Sequence, residues 1–279
     1  MGEFDGKVAF ITGGARGQGR AHAVALAMGG ASVVVVDVDQ DIEECPYPLS
    51  RDSDLQETVR LVEEAGGRGL GITADVRSFE QVSAAVARAT AEFGSVDILC
   101  ANAGIWSAHL VAEMSIESWQ TVIDVNLTGV FNSIRAVVPQ MIEKKWGRII
   151  ATSSTAGRQA EIHMGNYGAA KWGVIGLIKC VALELGEHHI TANAICPAMV
   201  RTGMTNNQPL YELFRPDVEN PTVADIEEQI IRDKHVIPDA WIEPEEVSEI
   251  VTLLASERGK HISGTAIDIT AGTSGRWSA

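Results

Sequence analysis

The chain has 279 residues, room for one large α/β domain or two small ones, and no composition break divides it. Its 22 lysines and arginines face 37 aspartates and glutamates, a net charge of −15 without any basic cluster, which argues against nucleic acid and anionic membrane surfaces as partners. No apolar stretch is long enough to span a bilayer, residues 1–6 lack a signal-peptide pattern, and Cys45, Cys100, Cys180 and Cys196 show neither metal-ligand nor disulfide spacing, so a reduced, cytoplasmic, metal-free protein is expected.

Residues 7–12 form a short apolar run bounded by glycines, the pattern of a buried strand, and a helix follows at once. Between them lie Gly13, Arg16, Gly17, Gln18 and Gly19. Glycines so placed permit a tight turn, let a diphosphate approach the backbone, and present the helix N-terminus to that anion. Residues 32–37 are a second, β-branched strand ending in Asp37, twenty residues beyond Gly17. A carboxylate there can accept both ribose hydroxyls of an adenosine and repels a 2′-phosphate, which favours NAD over NADP. Arg16 pulls weakly the other way, since a cation in the glycine loop could meet a phosphate. Residues 39–51, with Cys45 and a turn-rich Pro-Tyr-Pro-Leu, exceed the usual connection length and are an insertion, either folded over the cofactor or a mobile surface loop.

An amphipathic helix resumes at about residue 54, and residues 68–73 make a weaker, glycine-broken strand. It runs into Ala74, Asp75 and Val76, where the carboxylate could hydrogen-bond an adenine amino group. After a helix at 78–93 and a strand at 96–101, Asn102, Ala103 and Gly104 make a small-residue turn suited to lie against a flat ring or a ribose. The helical stretch 118–145 holds Asn126 in its interior, and so poor a helix residue predicts a local hydrogen-bonding role or a kink. Residues 147–152 are the fifth strand, with Ser153 and Ser154 at the C-terminal end that faces the ligand crevice in open parallel sheets. A turn or helix cap is the alternative role for a serine there.

The helix at 167–185 is apolar around most of its circumference, so it packs deeply or meets another subunit. A sixth strand at 191–195 leads through Pro197, Val200 and Thr202 into residues 203–240, either a substrate lid or a variable surface excursion. A helix at 244–256 and a strand at 265–270 complete the pattern. Strands alternating with helices throughout predict a single domain, 1–279: a doubly wound, Rossmann-type parallel sheet of about seven strands with helices on both faces. Trp106, Met164 and Trp241 either line an apolar pocket or are plain packing.

Tyr167 and Lys171, four apart, share one helix face, so an ammonium can sit beneath a phenol and favour its ionised form. With a nicotinamide ring as a second positive charge, that pair is a candidate general base. Together with Gly13, Gly17 and Gly19, Asn102 to Gly104, Asn126 and Ser154, it resembles the short-chain dehydrogenase/reductase family in order and spacing over nearly the whole chain, Ser154 preceding Tyr167 by the thirteen residues that family uses. The resemblance implies Tyr167 as acid/base and Lys171 as a ligand of the nicotinamide ribose that lowers the phenol pKa. It also implies Ser154 holding the substrate oxygen, Asn126 ordering a water behind Lys171, and Pro197, Val200 and Thr202 contacting the carboxamide. Two positions depart: the usual Asn-Asn-Ala-Gly begins with Ala101, and the usual Pro-Gly reads Pro197-Ala198.

The insertion resembles that of the subgroup containing carveol dehydrogenase and related mycofactocin-associated enzymes. That likeness implies a tightly held NAD that passes its electrons to an external redox cofactor, a small alcohol/ketone substrate and, from the family at large, a homotetramer. The apolar helix after Tyr167 and the tail from Arg276 to Ala279 are candidate subunit contacts. Two alternatives differ in kind. An NAD-sensing regulator need keep only the nucleotide site, whereas all four catalytic side chains are present here. A 3-oxoacyl reductase working on a carrier protein wants NADPH and a basic docking face, against Asp37 and the acidic balance.

Overall fold

The computed structural model describes residues 2–277, so the end of the candidate tail contact, Ser278 and Ala279, lies outside the described residues. In chain order the regular elements are β1 (Val8–Thr12), α1 (Gly17–Met28), β2 (Ser32–Asp37), α2 (Asp52–Glu64), β3 (Arg68–Thr73), α3 (Phe79–Phe93), β4 (Ile98–Ala101) and α4 (Ile116–Ile123). They continue with α5 (Gly129–Lys144), β5 (Gly147–Thr152), α6 (Gly165–Leu185), β6 (Ile190–Pro197), α7 (Gln208–Phe214), α8 (Val223–Gln229), α9 (Pro244–Ala255) and β7 (Ala266–Ile269). The seven strands form one sheet in the order β3-β2-β1-β4-β5-β6-β7, every neighbouring pair parallel.

Because successive strand residues point to opposite faces, the apolar runs supply two cores at once. Phe10, Val34, Leu99 and Ile149 face α3, α5 and α6, where Val86, Val137 and Ile178 meet them. Ile11, Val35, Cys100 and Ile150 face α1, α2 and α9, where Leu26, Val62 and Val251 meet them. The chain leaves β1 in one direction for β2 and β3, then returns to lay β4 on the other side of β1. At that reversal the connections diverge, and a crevice opens beyond the C-terminal strand ends.

The stretch predicted as one helix at 118–145 is broken. Between α4 and α5 the backbone widens into a π-helical turn, Asp124–Thr128, with Asn126 at its middle. Such turns cluster at functional sites. Residues 203–240 fold into α7, α8 and a second π-helical turn, Ile230–Lys234. No described helix is long and apolar enough to cross a membrane.

Candidate active site

The crevice is a cavity of about 510 Å³ that carries the ends of β1, β2, β4, β5 and β6 in its walls. At its nucleotide end, Gly13 takes a φ of +63°, and a Cβ there would stand 2.7 Å from the Cα of Ala103, so only glycine lets the two loops touch. A Cβ at Gly19 would lie 2.0 Å from the Gly13 carbonyl oxygen, so that position holds α1 against its own loop. The loops are stitched from below. Thr12 Oγ1 accepts the backbone N–H groups of Asn102 and Ala103 at 3.1 and 3.2 Å, and Asn102 Nδ2 donates to the Gly13 carbonyl at 3.2 Å.

The residues fit a dinucleotide. Helix α1 begins beside the cavity without a capping side chain and with no acid in its first turn, leaving backbone N–H groups and the positive end of its dipole for an anion. The Oε1 of Gln18, also on the cavity wall, is buried without a partner among the described residues. Asp37 closes the end of β2. Its carboxylate accepts the Ala15 N–H at 2.9 Å on one oxygen, and the Val38 N–H at 2.9 Å and the Ser50 hydroxyl at 2.7 Å on the other. Burial raises the Asp37 pKa above its ordinary value, and these hydrogen bonds offset only part of the rise.

Arg16 lines the cavity as well, and its guanidinium donates to the Pro48 carbonyl of the insertion, tying the glycine loop to it. Asp75 and Val76 line the cavity, but Arg77 grips the Asp75 carboxylate through Nε at 2.9 Å and Nη2 at 2.6 Å, so an adenine amino group would have to share it. Gly104, Pro197, Val200 and Thr202 line the same cavity. Ala198 keeps a negative φ, so replacing the family's glycine strains nothing there.

At the chemical end, Ser154, Tyr167 and Lys171 face one space. Ser154 follows β5 and accepts the Ala156 N–H at 3.1 Å; thus it caps a short turn and lines the site together. Helix α6 carries the other two. Lys171 is 2% exposed, with its Nζ donating to the Thr152 carbonyl at 2.8 Å and standing 5.5 Å from the centre of the Tyr167 ring. Burial lowers its pKa to about 8.

Lys171 and a nicotinamide ring are the two charges expected to favour the ionised phenol. Burial raises the Tyr167 pKa above its ordinary value, hydrogen bonding with Ser154 offsets only part of that, and the ammonium is directed at a carbonyl. Asn126 bonds to the chain with both polar side-chain atoms. Its Oδ1 accepts the Ile105 N–H at 2.8 Å and its Nδ2 donates to the Ile105 carbonyl at 2.7 Å, so the side chain, fully buried behind the wall, clamps the loop after β4.

Sequence reading offers the insertion and the 203–240 region as candidate covers of the site without singling out their lining residues. Ile42, Tyr47, Leu49 and Ser50 of the insertion line it, as do Met204, Leu210, Leu213 and Phe214 from the 203–240 region. Trp106 and Met164 are on the wall as well, whereas Trp241 packs with Tyr211, Ile226 and Ile230 and donates to Glu227 at 2.7 Å. The signals for the insertion are its length, its place after the strand ending in Asp37, and an aromatic residue and a leucine among prolines.

A family model described as short chain dehydrogenase matches residues 7–212. The chain is 41% identical over 275 residues to a (-)-trans-carveol dehydrogenase of Rhodococcus erythropolis, an alignment covering 98% of this chain and 99% of that one. The crystal structure of a carveol dehydrogenase from Mycobacterium avium in complex with NAD matches with a TM-score of 0.95 at 40% identity, covering 98% and 99% of the two chains. That of a short chain dehydrogenase from Mycobacterium paratuberculosis bound to NAD matches with a TM-score of 0.88 at 35% identity, covering 98% and 100%.

Proposed function

Since the chain belongs to the short chain dehydrogenase family, we propose that it interconverts a small, largely apolar secondary alcohol and its ketone, with Tyr167 as the acid/base. It is an NAD-dependent oxidoreductase. The observation that carries the reaction is the meeting of Ser154, Tyr167 and Lys171 on the wall that also holds the Gly13–Gly17 turn and Asp37.

NAD held there would supply the acceptor for the carbinol hydride and, in its positively charged ring, the nearby charge that the buried phenol needs to ionise. Asp37 and the N-terminus of α1 hold the nucleotide, and Asn102 to Gly104 set the plane against which it lies. Ser154 fixes the substrate oxygen beside the Tyr167 phenol, which removes the hydroxyl proton in oxidation and returns it in reduction. Lys171, already close to half-protonated near pH 8 and anchored on Thr152, holds the nicotinamide ribose and relays the proton outward. Asn126 keeps the loop after β4 in place behind that relay.

Two finer features belong to the same proposal. The insertion closes over the nucleotide: Ser50 bonds Asp37 and Arg16 bonds Pro48, so NAD stays in place and is reoxidised by an external redox cofactor of the mycofactocin kind. The assembly is a homotetramer, for which Phe131 on α5 and Trp172 and Leu183 on α6 provide exposed apolar surface.

The test is to denature the purified protein, assay the released nucleotide, and follow turnover of a panel of secondary alcohols with an artificial electron acceptor. Near-stoichiometric NAD and acceptor-dependent oxidation are expected. An empty, freely exchanging site removes the closed-over nucleotide, and inertness toward every alcohol removes the reaction.

A further inference from the structure

Tyr47 is the tyrosine of the insertion's Pro-Tyr-Pro-Leu, yet it is 5% exposed and on the cavity wall. Its ring lies 5.6 Å from that of Trp106 at a tilt of 31°, and Trp106 is pinned in turn by its Nε1, which donates to the Met204 carbonyl at 2.8 Å. The backbone on either side is held too. Leu49 N–H donates to Asp41 at 2.7 Å, and Ser50 donates to Asp37 at 2.7 Å.

A side chain so fixed points its hydroxyl to one place. That hydroxyl is buried and has no hydrogen-bond partner among the described residues; the Cys45 side chain and the Trp106 backbone amide come near without completing a bond. A buried polar group left unpaired is costly, and a ligand that brings the missing partner recovers the loss. Around it the surfaces are apolar, with Trp106, Leu210, Met164, Met199 and Leu213 in the same cluster as Tyr47 and part of Tyr167. Burial holds the Tyr47 pKa well above its ordinary value and the nearby Tyr167 phenol adds to the rise, so Tyr47 remains a donor.

We propose that Tyr47 is a substrate-positioning residue whose hydroxyl hydrogen-bonds a second oxygen of the substrate, so that the preferred alcohols carry another hydroxyl or a carbonyl on an apolar frame. This rests on the reaction assigned to Ser154 and Tyr167, because those two groups satisfy both lone pairs of the reacting carbonyl oxygen and leave none for Tyr47. A site built to bond such an oxygen discriminates against a substrate that lacks it far more strongly than an apolar wall discriminates by size. The insertion therefore sets substrate choice as well as covering the nucleotide.

The experiment compares cyclohexanol with the cyclohexanediol isomers in the NAD-loaded wild type, Tyr47→Phe and Tyr167→Phe. Binding of each alcohol is read in parallel by quenching of tryptophan fluorescence, so that the comparison survives slow turnover. In the wild type at least one diol is favoured over cyclohexanol by about tenfold or more in kcat/KM. Tyr47→Phe, which keeps the ring against Trp106, removes that preference through KM and leaves the pH profile in place. No diol preference in the wild type, a preference surviving Tyr47→Phe, or an equal loss for diol and cyclohexanol each overturns the assignment. Persistence of turnover in Tyr167→Phe instead overturns the reaction itself, while the binding ratio still decides Tyr47.

Discussion

Asp37 shows how much one side chain is asked to do. Its carboxylate ends β2, caps the glycine loop through Ala15, anchors the insertion through Ser50, and faces the nucleotide end of the cavity. Hydrogen bonds to a charged acceptor contribute about 1.5–3 kcal/mol each, so replacement by serine should weaken NAD binding by about 10–100-fold and narrow the preference over NADP by a similar factor. Titration calorimetry with the two nucleotides reads both effects; an unchanged ratio would remove Asp37 as the discriminator. Its position was legible in the sequence because an acid at the end of a β-branched strand, at a set distance from a glycine turn, has few other uses. The true partner of Arg16 was not legible. A cation beside a phosphate site and a cation tied to a carbonyl 32 residues away look alike until the chain folds. The Tyr167–Lys171 pair was legible in spacing and not in electrostatics, since helical periodicity states which face a group is on but not how deeply that face is buried or that Thr152 takes the ammonium.

Among the elements, the π-helical turn between α4 and α5 does what a regular helix could not. It turns Asn126 onto the backbone of Ile105, holding the loop after β4 at the edge of the cavity. Asn126→Ala leaves a buried N–H and a buried carbonyl unpaired, at about 1–3 kcal/mol each, and should lower the denaturation midpoint and slow turnover together. Retention of both would reduce the turn to a local irregularity. An asparagine inside a helical pattern announced this disturbance without saying which way the side chain would swing. The strands were legible to within two residues at each end, and the central ones most plainly, because fully buried parallel strands read as unbroken apolar runs. The 203–240 region was not, because α7 and α8 are seven residues each and leave too few turns for a periodic signal. Leu210, Leu213 and Phe214 of α7 share one helix face at i, i+3 and i+4 and line the cavity, but one such turn is too short to stand out in the sequence.

The molecule as a whole depends on two helical layers, and the junction of α1 with α9 contains a buried titratable group. His22 Nδ1 lies 2.8 Å from Ser248 Oγ, its Nε2 is unpartnered, and burial lowers its pKa to about 3. Between pH 6.5 and 3 the unfolded chain therefore binds a proton that the folded chain does not, so stability falls as pH falls through that window. Chemical denaturation at successive pH values should show that decline, and His22→Asn, less stable at neutral pH, should show a shallower one; an unaltered slope would place the acid sensitivity elsewhere. Sedimentation should find a homotetramer, and Trp172→Glu with Leu183→Glu should shift it to smaller species.

On the proposed reading, the sheet, the two layers and the lining of one crevice serve a single proton transfer at the Tyr167 phenol. The most direct measurement is the rate of nicotinamide reduction in one turnover of NAD-loaded Tyr167→Phe mixed with a secondary alcohol that the wild type oxidises. A fall of about 10²–10⁴-fold with undiminished NAD content is predicted. A near-wild-type rate in that protein would contradict the account, because a group other than Tyr167 would then have to take the proton.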